Sequence, residues 1–174
     1  MFKSLVQFIK NLLQCAKNGN IDELAELMTE NPDILLVNDN NEATCFHFAA
    51  MHGNCNILES VFNFSPAIGK ERKFWLFFCY HKECLDKKNL MLTIFLVLES
   101  KNIFDETPLH WAALYDQGDV VTMLLEKGAK HNSLNSKGLS PIHVAVFRGS
   151  LKALKSIIAS KVIHIYKIPL KFIA

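Results

Sequence analysis

Apolar positions along the chain fall in short groups that recur at a nearly constant distance. The segment Thr107–Ala113 reads Thr-Pro-Leu-His-Trp-Ala-Ala, and Ser140–Val146 repeats it 33 residues later as Ser-Pro-Ile-His-Val-Ala-Val. A weaker copy begins at Thr44, and the faintest begins at Lys10, 34 residues before Thr44. An apolar pair follows each of the four starts at one offset: Leu27-Met28, Val61-Phe62, Leu124-Leu125 and Ile157-Ile158. A period of this size predicts structural units that cannot bury their apolar faces singly and must stack.

Each unit is predicted to contain two helices. Thr107 and Ser140 are hydroxyl residues of the kind that cap a helix N-terminus, and a proline follows each at the first helical position, where a missing N–H costs nothing. Gly53 and Gly149 suit a left-handed end for this first helix. Asp116 stands at the same offset, where we expect a mild conflict because aspartate tolerates that conformation only moderately. The apolar pair then lies on a second helix, with i, i+3, i+4 spacing.

These motifs resemble the ankyrin-repeat family. Thr107-Pro108-Leu109-His110 is that family's tetrapeptide unaltered, and the stretch from Asp119 through Leu124-Leu125 to Ala129 is similar to its second helix and turn. The resemblance covers residues 10–64 and 107–160. It implies an all-α fold, a solenoid of stacked helix–turn–helix units with hairpin-like loops projecting to one side.

The chain accordingly divides into four segments. Residues 1–64 hold two repeats, the first divergent, and residues 107–160 hold two more. Residues 65–106 carry no Thr-Pro-Leu-His equivalent, and two interpretations stay open: a degenerate repeat sandwiched between its neighbours, or an insertion or incorrectly joined coding segment. The basic tail 161–174 is too apolar for a solvated end cap, which favours a fragment of a longer array or a chain that needs a partner there.

Composition narrows the class of protein. Half of the residues are apolar, so a sizeable core is expected. No apolar run reaches the roughly 18 residues of a membrane-spanning helix. Five cysteines without regular spacing, together with polar residues that interrupt the N-terminal segment, indicate a reducing compartment and predict a cytoplasmic protein.

The charges are unevenly distributed. Nine of the nineteen Lys and Arg residues follow Glu126 and no Asp or Glu does, which leaves ten bases against seventeen acids before that point, a balance of −7. Such a basic segment could meet anionic lipid, nucleic acid or an acidic partner. We favour a solvated face that attracts the acidic N-terminal half, because the lysines are spaced singly and lack interleaved aromatic residues. No nucleic-acid partner is therefore predicted.

Residues that could carry chemistry have a structural explanation. His47, His110 and His143 recur at one offset, which favours hydrogen bonds that tie the turn to the first helix over catalysis. The segment Cys79–Cys84 holds metal-ligand residue types but lacks the second pair that a structural zinc site needs. No glycine-rich phosphate loop is present. We predict no enzyme activity, no metal and no cofactor.

Function is then expected from the surface of the stack. In the family that the chain resembles, partner contacts come from the loop tips and from the two positions after the alanine pair. Carried to this sequence, those positions are Met51, His52, Leu114, Tyr115, Phe147 and Arg148. The resemblance implies a protein–protein interaction module, and the Tyr and Arg types suit a partner segment that is acidic or aromatic. Ordinary surface or packing between repeats is the alternative for these six residues.

A second class of function stays open. The divergent first unit and the Asn/Asp-rich turn before Thr44 resemble the N-terminal region of ankyrin-type transient receptor potential channels. On that interpretation the chain is the cytosolic ankyrin part of a larger membrane protein, and a membrane partner is implied only there. An enzyme that carries the repeats as a targeting arm is a third class, for which the sequence supplies no active site.

Overall fold

A computed structural model describes residues 2–30, 37–63 and 97–166 of the 174-residue chain. The named helices of these residues are α1 (Phe2–Asn18), α2 (Ile21–Glu30), α3 (Cys45–His52), α4 (Cys55–Asn63), α5 (Pro108–Leu114), α6 (Gly118–Glu126), α7 (Pro141–Arg148) and α8 (Leu151–Tyr166). Val97 and Leu98 are also helical. The described residues contain no β-strand, only an isolated bridge between Asn38 and Thr44. The predicted all-α class is confirmed.

Consecutive helices pair into four units: α1 with α2, α3 with α4, α5 with α6, and α7 with α8. The first helices of the units pack in the order α1, α3, α5, α7, so each unit lies against the next. Large apolar side chains close the core within and between units, and the fully buried ones are Leu12, Leu24, Phe46, Ile57, Leu58, Leu109, Leu124 and Ile157. The solenoid implied by the sequence motifs is therefore the observed architecture.

The hairpin-like loops before α3, α5 and α7 share one construction. In each, an Asx side chain five residues before the hydroxyl cap accepts two backbone N–H bonds through its Oδ1, and these residues are Asp39, Asn102 and Asn135. The loops also bond to one another: Ile103 N donates to Asn41 O at 2.9 Å, and Ser136 N donates to Phe104 O at 2.9 Å. The loops therefore form a ladder that runs along the stack.

The unit that begins at Thr107 packs directly on the unit that begins at Thr44. Helices α3 and α5 are in contact, and the rings of His47 and Trp111 meet edge to face with centroids 5.3 Å apart. Residues 65–96, which the alternatives of a degenerate repeat or an insertion mainly concern, lie outside the described residues, as does the tail from 167 to 174.

Two helices are longer than the period predicts. The faint first copy of the repeat begins at Lys10 in the sequence, but α1 begins at Phe2. No hydroxyl cap or proline precedes Lys10, and Phe2, Leu5 and Ile9 continue the helical spacing of apolar residues upstream, so nothing stops the helix there. Helix α8 likewise extends to Tyr166, because no glycine follows it at the offset of Gly128.

Candidate partner-binding face

The recurring histidines connect the units, and their geometry fixes the position of the first helices. The backbone N–H of Thr107 donates to His110 Nδ1 at 3.1 Å, so Nδ1 is the unprotonated nitrogen of the ring. Nε2 therefore carries the proton and donates to Leu139 O of the next unit at 3.0 Å. The ring fastens its own helix start and the following hairpin loop at once.

His47 repeats this arrangement one unit earlier. Thr44 N donates to His47 Nδ1 at 3.1 Å, and His47 Nε2 donates to Glu106 O at 2.9 Å. Burial lowers the pKa of His47 to about 4 from its ordinary 6.5, and burial also lowers the pKa of His110. Both rings are neutral at pH 7, and the structural role predicted for these two histidines agrees with their contacts.

The six predicted partner-contact residues lie at the C-terminal ends of three consecutive first helices. Met51 and His52 end α3, Leu114 and Tyr115 lie at the end of α5, and Phe147 and Arg148 end α7. His52, Tyr115, Phe147 and Arg148 are exposed, whereas Met51 and Leu114 are half-buried. Because α3, α5 and α7 pack side by side, the three pairs follow one another along one edge of the stack.

Aromatic side chains that the predicted set does not include lie on α3 and α5, and a lysine of α1 lies beside one of them. Trp111 meets Phe48 edge to face at 5.4 Å and Tyr115 at 6.4 Å, while Lys17 Nζ lies 4.6 Å from the centre of the Phe48 ring. Trp111 and Phe48 are only half-buried. Trp111 lies four residues before Tyr115, and Phe48 lies four residues before His52. This i, i+4 spacing from predicted face residues is the sequence signal that could have added Trp111 and Phe48 to the face.

A second set of bonds positions the ends of these helices. Side-chain amides ten residues after the starts at Thr44 and Thr107 reach back to the previous unit: Asn54 Nδ2 donates to Ala16 O at 2.7 Å, and Gln117 Nε2 donates to Met51 O at 3.1 Å. The carbonyl groups at the end of a first helix lack partners within that helix, so these amides satisfy them. The bond from Gln117 therefore ties the Met51 backbone to the next unit.

The cysteines that the structure describes are poor nucleophiles. Cys15 and Cys45 are buried, and burial raises the thiol pKa of each to about 12. Burial also raises the pKa of Cys55. Within residues 2–30, 37–63 and 97–166, no group of three His, Cys, Asp or Glu side chains has the arrangement of a metal site. The Cys79–Cys84 segment lies outside those residues.

Comparison with known proteins gives a consistent result. Two family models match, one described as ankyrin repeats in three copies over residues 81–167 and one as ankyrin repeats in many copies over residues 12–59. The chain belongs to the ankyrin-repeat family. Ankyrin repeats are a general protein-interaction module, and the family is typically non-catalytic.

Individual relatives share this module in longer proteins. The chain is 38% identical over 71 residues to the ANK repeat-containing protein nipk-1 of Caenorhabditis elegans, and the matched region is 40% of this chain and 12% of that protein. It is 25% identical over 150 residues to transient receptor potential cation channel subfamily A member 1 of Drosophila melanogaster, 86% of this chain and 9% of the channel. It is 33% identical over 57 residues to NF-kappa-B inhibitor alpha of Gallus gallus, 33% of this chain and 18% of that protein.

The ankyrin chain thus spans less than a fifth of each of these relatives. In the parts of the chain that the structure describes, no helix is both long enough and apolar enough to cross a membrane.

Proposed function

We propose that this ankyrin stack binds another protein through the face formed by Met51, His52, Leu114, Tyr115, Phe147 and Arg148, and that it has no catalytic role. The main support is the exposure of Tyr115, Phe147 and Arg148 at the ends of packed, hydrogen-bonded helices. Tyr and Arg contribute disproportionately to interface energies, and a rigid backbone lowers the entropy lost on binding.

The chemistry of the face indicates the kind of partner. The Arg148 guanidinium can donate two parallel hydrogen bonds to a carboxylate, and Phe147 and Tyr115 offer aromatic surface for an apolar side chain. No acid follows Glu126 in the sequence, so the last unit, which carries Arg148, contains lysines and no Asp or Glu. An acidic segment with an aromatic or aliphatic residue fits this combination best.

The experiment compares substitutions in the proposed face with substitutions in the second helices of the last two units, α6 and α8. A protein captured on the immobilised full chain is identified and purified, and its Kd is measured for the native chain and for Tyr115→Ala and Arg148→Ala. We expect each substitution to weaken binding by about 1–2 kcal/mol. Glu126→Ala and Lys155→Ala, which change exposed residues of α6 and α8, serve as controls. Equal affinity of the double variant Tyr115→Ala, Arg148→Ala and the native chain would move the site to the loop tips.

A second candidate function follows from the channel match over 86% of the chain. In this alternative the stack is the ankyrin part of a larger membrane protein, and its partner is another part of that protein. Reading the coding sequence beyond Ala174 tests it: several consecutive apolar helices downstream would favour the channel, and a stop codon after further repeats would reject it.

A further inference from the structure

Glu106 is a charged residue at a position where the neighbouring units carry apolar residues. It directly precedes the hydroxyl cap of its unit, and its equivalents in the units before and after are Ala43 and Leu139. A residue that the repeat itself needed would recur in the other units, as the histidines do. The repeat architecture therefore does not require a carboxylate at this position.

Two side chains hold the Glu106 carboxylate in one orientation. Its Oε2 accepts a bond from Trp111 Nε1 at 3.0 Å and another from Asn102 Nδ2 at 3.2 Å, and Asn102 is itself buried. Both donors are neutral, and within the described residues no lysine or arginine forms an ion pair with Glu106. The side chain is only half-buried, so its negative charge and its second oxygen, Oε1, are accessible to a ligand.

Aromatic rings lie beside this carboxylate. Trp111 is half-buried and contacts the rings of Phe48 and Tyr115, with centroids 5.4 Å and 6.4 Å away. The chain itself shows that this cluster attracts a cation, because Lys17 Nζ lies 4.6 Å from the centre of the Phe48 ring. Indole attracts a cation more strongly than a phenyl ring does. A carboxylate fixed at the edge of an indole therefore offers a favourable environment for a second cation.

The neighbouring imidazoles do not supply that cation. His47 Nε2 donates to the backbone oxygen of Glu106, but burial lowers the pKa of His47 to about 4 although the charge of Glu106 acts in the opposite direction. Burial also lowers the pKa of His110, again against the charge of Glu106. The negative charge thus reaches two rings that stay neutral at pH 7, and neither ring compensates it.

We propose that Glu106 and Trp111 form a subsite for an arginine side chain of the partner protein. A planar guanidinium can stack on the indole and donate to Glu106 Oε1 at the same time, whereas a lysine ammonium is more strongly hydrated and has no flat face. The inference rests on the proposed function, since the arginine belongs to the segment that binds the six-residue face. That segment then carries an arginine for the third unit as well as the acid that Arg148 selects in the fourth.

The test uses a small arginine probe, so that it does not depend on identifying the partner. The sequence contains two tryptophans, Trp75 and Trp111, so the full chain is labelled for nitrogen NMR in a Trp75→Phe background, where the indole N–H signal belongs to Trp111. Nα-acetyl-arginine amide is titrated into this chain. Its matched control is Nα-acetyl-citrulline amide, which has nearly the same shape and no charge. The shift of the Trp111 indole signal gives the Kd of each probe.

We expect saturable binding of the arginine probe and a Kd for the citrulline probe that is higher by about tenfold or more. Glu106→Gln keeps an oxygen for the bonds from Trp111 and Asn102 and removes only the charge, so it should raise the Kd of the arginine probe to that of the citrulline probe. Glu59→Gln, which removes an exposed carboxylate from α4, should leave the Kd unchanged. The comparison of the two probes needs no variant at the subsite, so it stays decisive even if Glu106→Gln folds poorly.

Several results would overturn the inference. Equal Kd values for the two probes, an unchanged Kd in a folded Glu106→Gln chain, or the absence of a saturable shift would each refute a subsite that selects positive charge. Tighter binding of Nα-acetyl-lysine amide would refute the choice of arginine. Tighter binding of Nα-acetyl-glutamate amide would show that this part of the face selects an acid instead.

The purified partner separates this inference from the proposed face. A partner whose Kd rises with the double variant Tyr115→Ala, Arg148→Ala but not with Glu106→Gln would refute the arginine subsite and leave the face in place. A partner whose Kd rises with Glu106→Gln alone would support the subsite and refute the role of Tyr115 and Arg148.

Discussion

The histidine at the fourth position of the units that begin at Thr44 and Thr107 illustrates how one residue serves two levels of structure. Within its unit, Nδ1 accepts the backbone N–H of the hydroxyl cap, and across the unit boundary Nε2 donates to a loop carbonyl. No other neutral side chain offers an acceptor and a donor on opposite sides of a small rigid ring. This explains why the tetrapeptide keeps histidine where the surrounding apolar residues vary.

Two variants separate these contributions. His110→Ala loses both bonds and leaves the half-buried Leu139 carbonyl without the imidazole donor, so it should lower the free energy of unfolding by roughly 1–3 kcal/mol. Within the described residues the His143 ring bonds only to its own unit, so His143→Ala should cost less than half as much, since the ring is exposed. Urea unfolding followed by circular dichroism gives both values. Equal losses would show that the bond between units contributes nothing.

The depressed pKa of His47 predicts how stability changes with pH. The folded ring has a pKa of about 4 and the unfolded ring about 6.5, so between these values the unfolded chain binds more protons. The contribution of His47 is therefore complete above pH 6.5 and is lost as pH falls through 4. The full contribution of His47 to the free energy of unfolding is roughly 3 kcal/mol, because each unit of pKa difference corresponds to about 1.4 kcal/mol.

Urea midpoints at pH 7, 5.5 and 4.5 measure this dependence. The native chain should lose more stability over this range than His47→Gln, which cannot titrate there, while His52→Ala should behave like the native chain. Parallel curves for the native chain and His47→Gln would contradict the assignment.

At the scale of the helix, Asp116 is a residue type that disfavours its own backbone conformation but is stabilised by a contact with the next unit. It ends the first helix of its unit with a φ of 58°, in the left-handed region where Gly53 and Gly149 have φ of 76° and 71°. Its Oδ1 accepts the backbone N–H of Ala153 in the next unit at 3.0 Å. The bond between units offsets the conformational conflict that the sequence predicts.

Two substitutions at Asp116 compare the cost of the left-handed conformation with the stabilisation that the bond to Ala153 provides. Asp116→Asn keeps both the acceptor and a tolerance for the left-handed region, so it should change the unfolding free energy by less than about 0.5 kcal/mol. Asp116→Ala loses both and should cost about 1–3 kcal/mol. Thermal and urea unfolding of the two variants provide the comparison, and a stable alanine variant would refute the role of the carboxylate.

The helices whose starts the sequence predicted well are those with complete start signals. Thr107 with Pro108, and Ser140 with Pro141, predicted the starts of α5 and α7 to the residue. The start of α1 was missed by eight residues because no cap marks Lys10. The contacts of Trp111 with Phe48 were not predictable, because they depend on which two units are neighbours and the 63-residue gap left that undecided. The six residues of the partner-binding face stay a prediction.

For the whole molecule, the important feature is the direct contact between the second and third units. Their interface includes the ring contacts of Trp111 with His47 and Phe48 and the bond from His47 Nε2 to Glu106 O, although residues 64–96 lie between the two units in sequence. An interface formed by residues on both sides of that segment does not require the segment to be covalently continuous.

Cutting the chain tests this directly. A specific protease site is inserted between Lys70 and Lys88, and the full chain is cleaved after folding. The two fragments should remain associated on size-exclusion chromatography and separate only in denaturant, because the contact of α3 with α5 persists. Fragments that elute separately while each stays helical would mean that the two halves are independent. Leu109→Glu, which places a charge in the buried core that includes side chains of both fragments, should separate the cut fragments.

The hydrogen bonds of the histidines all run in one direction, from an earlier unit to the loop of a later one. The stack is therefore polar in the sense that a filament is polar, and its two ends are chemically different. Two copies that met through their last units would present the same group, the His143 ring, to each other, whereas the contacts inside the stack join unlike surfaces. This polarity favours head-to-tail contacts over the symmetric pairing of identical ends.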